Sequence, residues 1–133
     1  MKRINVRCPY CGARAALRPA AALGKNAPGY AGKRFYVCTR YPFCDAYVEA
    51  HARSGLPMGT LANKRLRWKR REAHDALERL WLTGLMSKAE AYRYLQIQLG
   101  IPADDAHIGK FSEYRCGEVI RICKDMINRQ NAA

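Results

Sequence analysis

Acidic residues are scarce: 11 Asp and Glu stand against 24 Lys and Arg, a formal charge of +13 over 133 residues. So acid-poor a chain attracts polyanions, and nucleic acid is the commonest of these inside a cell. The deficit is uneven. By count, residues 1–60 carry ten basic and two acidic side chains, 61–83 seven and three, and 84–133 seven and six. Twelve of the thirteen excess charges (8 + 4) thus precede residue 84. Such segregation points to a binding face, against the plainer reading that basic charge only keeps the protein soluble.

No apolar run approaches the length of a membrane span. Met1-Lys2-Arg3 is followed by no apolar stretch, so no secretory leader is expected and the compartment reads as reducing and cytoplasmic. Catalytic patterns are missing too: no Ser/His/Asp order, no Gly-rich phosphate loop, no H-E-x-x-H. Neither enzyme activity nor a small-molecule substrate is expected. Asp104, Asp105 and His107 could form a carboxylate–His pair, but a helix-entry turn explains the acids equally well. Large aliphatics are sparse in the first 50 or so residues. Core burial alone would not hold that stretch, and a metal or disulfides is the usual remedy.

Six cysteines supply the remedy. Cys8 and Cys11 form a C-x2-C pair, and Cys38 and Cys44 form a C-x5-C pair after a 26-residue gap. In a reducing compartment this is the pattern of a four-thiolate zinc site, closed to substrate and structural in role. One structural Zn2+ is therefore expected on Cys8, Cys11, Cys38 and Cys44. His51 would be surplus. Cys116 and Cys123, seven apart on a helix, are too distant for a disulfide. They read as buried core thiols, or as ligands of a second metal with His107 if the fold brings a fourth.

The organisation expected is α+β: a zinc ribbon over 1–50, a linker over 51–60, and a three-helix module over 61–133. Strands are expected at Ala13–Arg18, Lys33–Cys38 and Asp45–Glu49, with a Gly- and Pro-rich loop at Ala20–Gly32. In the second strand Phe35 and Val37 share one face, and Arg34 and Tyr36 the other. The first helix is expected over 61–83 with Thr60 capping it, and Ala62, Leu66, Ala73, Ala76, Leu77, Leu80 and Trp81 on its apolar face. Ser87 and Glu90 form a capping box, Gly100 stops that helix, and Ser112 opens the third.

Lys64 to Arg71 is the densest basic run. On a helix Trp68 falls opposite the apolar face, among Lys64, Arg65, Arg71 and Arg79. An indole set among cations suits unpaired bases, which stack on the ring while cations follow the phosphates. Alternatively Trp68 docks this helix on the ribbon. In the ribbon, Tyr36 beside Arg34 and Tyr41 beside Arg40 are the candidates for base stacking. The expected nucleic-acid contacts are Lys33, Arg34, Tyr36, Arg40, Tyr41, Lys64, Arg65, Arg67, Trp68 and Arg71.

CPYCGARAAL and KRFYVCTRYPFCDAYV resemble the C-terminal zinc ribbons of bacterial type IA DNA topoisomerases over about residues 6–49. Cys8, Pro9, Cys11, Gly12, Phe35, Cys38, Tyr41, Pro42 and Cys44 fill that pattern. The resemblance implies binding of single-stranded or distorted DNA, in preference to RNA, through a basic aromatic face. Nearly the whole chain resembles a family of bacterial and phage zinc-finger-containing domain proteins of unknown function. CDAYV, HARSGLPMGTLA, LW at 80–81, SKAEAYRYL and HIGKF carry that likeness. It implies fold and metal ligands but no activity. The rival to nucleic-acid binding is a protein-interaction module, such as a phage-type regulator or inhibitor docking on a host nucleic-acid enzyme through an acidic surface.

Overall fold

The computed structural model describes residues 5–132. The fold is α+β, and the chain divides into two compact units, Met1–Arg65 and Leu66–Ala133. The sequence also suggests a short lead-in strand over 1–6, and most of that stretch lies outside the described residues.

In the first unit, β1 (Ala15–Pro19), β2 (Arg34–Cys38) and β3 (Tyr47–Glu49) form an antiparallel sheet in the order β1-β2-β3. Register runs from Ala15 opposite Cys38 to Pro19 opposite Arg34, and from Phe35 opposite Glu49 to Val37 opposite Tyr47. Aromatic and β-branched residues suit the pleat of β2, and as the central strand it is covered on both faces. Phe35 and Val37 pack with Ala20, Leu23, Tyr30 and Tyr47, and the Phe35 and Tyr47 rings meet edge to face at 5.7 Å. Tyr36 and Cys38 pack with Cys8, Ala46, Ala50 and Leu61. The stretch 20–32 is not plain loop: it holds two 3-10 turns, Ala20–Leu23 and Pro28–Tyr30.

Residues 51–60, where the sequence suggests a linker, fold back on β3. Bridges join Ala50 to Pro57 and Tyr47 to Ala62, and Leu61 is buried in the ribbon. This use of Leu61 and Ala62 corrects the expected helix start. The first helix, α1, is Lys64–Leu82, so Thr60 does not cap it. The Asp45 carboxylate accepts from the Lys64 backbone N–H at 3.1 Å instead.

In the second unit, α1, α2 (Lys88–Leu99) and α3 (Glu113–Ala132) surround one core. Ala73, Leu77 and Leu80 of α1 meet Ala91 and Leu95 of α2, Cys116, Val119 and Cys123 of α3, and Ile108 and Phe111 of the connection. The spacings are the i, i+3, i+4 and i+7 of a helix stripe. Trp81 stacks on Tyr92 with centroids 6.1 Å apart. The Ser87–Glu90 capping box is present, with Glu90 N–H donating to Ser87 Oγ and Ser87 N–H to Glu90 Oε1. Gly100 ends α2 at φ 65, a left-handed backbone that a side chain would strain. Ser112 Oγ accepts from Arg115 N–H and so caps α3. Arg70 Nε donates to the Phe111 carbonyl at 3.0 Å, tying α1 to the α2–α3 connection.

Candidate functional site

The two knuckles converge because the turns around them are closed by backbone hydrogen bonds. Gly12 N–H donates to the Cys8 carbonyl and Cys8 N–H to Ala13. At the second knuckle Tyr41 N–H donates to Cys38 and Cys44 N–H to Arg40. Gly12 has φ 75, a left-handed backbone just past Cys11 that turns the chain back so that the Ala13 carbonyl meets the Cys8 N–H. The four sulfurs then lie within 4.8 Å of one another, with Cys8–Cys44 and Cys11–Cys38 each at 3.5 Å and no disulfide among them. A tetrahedron with Zn–S arms of about 2.3 Å has edges of roughly 3.8 Å, so the spacing fits.

Electrostatics agree. In three of the four cysteines the backbone N–H two positions on is aimed at the sulfur: Ala13 at Cys11, Arg40 at Cys38 and Ala46 at Cys44. Amides so placed stabilise thiolates and orient metal ligands. At Cys11 the Ala13 amide pulls the thiol down to about 7. Burial dominates at Cys38, pushed up to about 12, and raises Cys44 as well. Packing alone would keep these two protonated, so a cation is what makes all four thiolates compatible with the fold. The donor set fits one structural Zn2+ held by Cys8, Cys11, Cys38 and Cys44.

Cys116 and Cys123 are core residues, fully buried among apolar side chains. His107 is exposed and, among the described residues, joins no metal-competent group with them. A second metal on these three is therefore not built. Asp104 and Asp105 occupy a 3-10 turn, Ala103–Asp105, and are exposed.

Of the expected nucleic-acid contacts, Lys33, Arg34, Arg40, Lys64, Arg65 and Arg71 are exposed, and Arg67 is partly so. Lys33 is engaged: its Nζ lies 3.5 Å from the Glu49 carboxylate. Trp68 is 58% exposed and Tyr41 37%. Tyr36 is corrected. It is only 6% exposed, and its hydroxyl donates to the Gly55 carbonyl, so its ring has no face for a base. Strand alternation put it outward because that rule assumes one wet face, whereas β2 has none.

Phe43 was missed. It stands 96% exposed in the second knuckle, between Tyr41 and the ligand Cys44. Its signal was its place inside a C-x5-C turn, which is too short to bury every side chain it carries.

Among the described residues no helix is long and apolar enough to cross a membrane. No curated protein and no solved structure matches the chain. The family model of the zinc-finger-containing domain matches residues 4–126, and this chain belongs to that family.

Proposed function

We propose that the protein binds single-stranded or distorted DNA without catalysing a reaction on it, and that zinc only shapes the ribbon that does part of the binding. The observation that carries this reading is Trp68. A 58% exposed indole is uncommon, and helix geometry sets it beside Lys64, Arg65 and Arg71, at one turn's separation, in a segment where six of eight residues are basic. Such a ring offers a stacking platform and its neighbours offer phosphate contacts. In the ribbon, Arg40 with Tyr41 and Phe43 presents the same pairing of cation and exposed ring. Arg34 is available as well. Lys33 contributes less, because a phosphate must first displace Glu49.

The experiment is titration of the zinc-loaded chain against labelled single-stranded DNA, duplex DNA and single-stranded RNA at two salt concentrations. The expected result is preference for single-stranded DNA, with log K falling about 0.7 per phosphate contact per decade of salt. Binding that is absent or indifferent to salt overturns the reading and favours an acidic protein partner. Tighter binding to RNA overturns the choice of DNA.

A further inference from the structure

The long insertion of the ribbon folds around an open pocket separate from the Trp68 surface. It has a volume of about 500 Å3, within the range of small-ligand sites. Ala20, Ala27 and Ala31 give it small apolar walls, and Lys25, Lys33 and Arg34 give it three cations. Lys25 Nζ lies 4.9 Å from the Tyr30 ring centroid and 5.6 Å from that of Tyr47, while Lys33 Nζ lies 5.8 Å from Tyr30. Two ammonium groups thus share one ring. A ring attracts a cation but does not neutralise it, and the Glu49 carboxylate is paired with Lys33. A concave site with apolar walls and surplus positive charge suits an anion attached to a flat apolar body.

We propose that this pocket holds one nucleotide. Lys25 takes its phosphate, Lys33 adds to the positive field while paired with Glu49, and the base lies against the alanine walls. Asn26, whose amide both donates and accepts, is at hand for a base edge. The inference deepens the nucleic-acid reading and rests on it for the source of the nucleotide. A nucleotide within a strand and a free nucleotide share this chemistry, and the test separates them.

Thymidine 5′-monophosphate, thymidine and inorganic phosphate are each titrated into the zinc-loaded full chain, followed by backbone amide NMR. The monophosphate should shift the amides of residues 20–34, and thymidine should not. Lys25→Ala should weaken that binding roughly tenfold or more. Ala27→Phe should block it by filling the cavity while leaving the charge unchanged. Zinc content and melting temperature serve as controls on folding. Shifts scattered over the whole basic surface, or binding that neither variant changes, overturn the pocket.

An oligothymidylate arm identifies the source. If Lys25→Ala lowers its salt slope by about 0.7, the pocket holds a strand nucleotide. Loss of monophosphate binding with strand affinity intact supports the pocket for a free nucleotide. If the monophosphate binds and no strand does, the function proposed above falls and the pocket stands. If strands bind and the monophosphate does not, the pocket falls and the Trp68 surface stands.

Discussion

The Asp45 carboxylate, next in sequence to the ligand Cys44, accepts the backbone N–H of Lys64, the first residue of α1, at 3.1 Å. One knuckle of the metal site thereby caps the helix that carries the basic run. The cap is not local, since 19 residues separate the partners. It also puts a negative charge where the first turn has none of its own.

Replacing that carboxylate should show the link. Asp45→Ala is expected to cost about 1 kcal/mol, the usual value of an N-cap, with zinc content unchanged. Asp45→Asn should recover most of the loss, because an amide oxygen still accepts. Chemical denaturation with metal analysis checks both. Equal losses for Ala and Asn would mean that charge, and not the hydrogen bond, holds the helix end.

Zinc binding should release protons. Burial holds the Cys38 thiol at about 12 and raises Cys44, so both are protonated at neutral pH until a cation displaces the proton. Apparent zinc affinity therefore rises with pH. Calorimetric titration of zinc at pH 7 in buffers of different ionisation enthalpy should report one zinc per chain and release of at least one proton. Cys38→Ser should bind zinc far more weakly and lose ribbon structure. A variant that stayed folded without metal would sink the structural role.

These features were readable in the sequence to different degrees. The ligands were, because chelation fixes their spacing and leaves C-x2-C and C-x5-C as a direct imprint. The ends of α2 were, because Ser87, Glu90 and Gly100 act on their own backbone within a few residues. The start of α1 was not, because Asp45 reaches it from another element and Leu61 and Ala62 are drawn into the ribbon. The burial of Tyr36 and the exposure of Phe43 were not either. Both depend on what covers a strand or a turn in three dimensions, which periodicity along one strand does not encode.

The two buried thiols of α3 predict an alkaline weakness. Burial raises Cys123 from 9.0 to about 11 and raises Cys116 also. Between those values for Cys123 the folded chain keeps a proton that the unfolded chain has lost, so unfolding releases it. Stability is then full below about pH 9 and falls as pH rises toward 11. The full effect is on the order of 2–3 kcal/mol for a shift of this size. Denaturation midpoints from pH 8 to 11 should decline in the wild type, and less steeply in Cys123→Ala. Parallel slopes in the two proteins would show that Cys123 is not the group responsible.

Trp68 and Leu77 share a helix and should fail in opposite ways. Leu77 is fully buried in the core of the second unit, so Leu77→Ala should cost about 2–5 kcal/mol. Trp68 is mostly exposed, so Trp68→Ala should change stability by no more than about 0.5 kcal/mol. On single-stranded DNA the order reverses: loss of one stacking platform is worth about 1–3 kcal/mol, or roughly fivefold to more than a hundredfold in affinity. Trp68→Phe should keep part of that affinity, because a smaller ring still stacks. Arg71→Ala should weaken binding by lowering the salt slope instead, since it removes a phosphate contact and no platform. Melting curves and salt-dependent titrations of the same four variants separate these roles. A large drop in melting temperature for Trp68→Ala, without a change in strand affinity, would make this indole a packing residue and remove the main support for a stacking surface on α1.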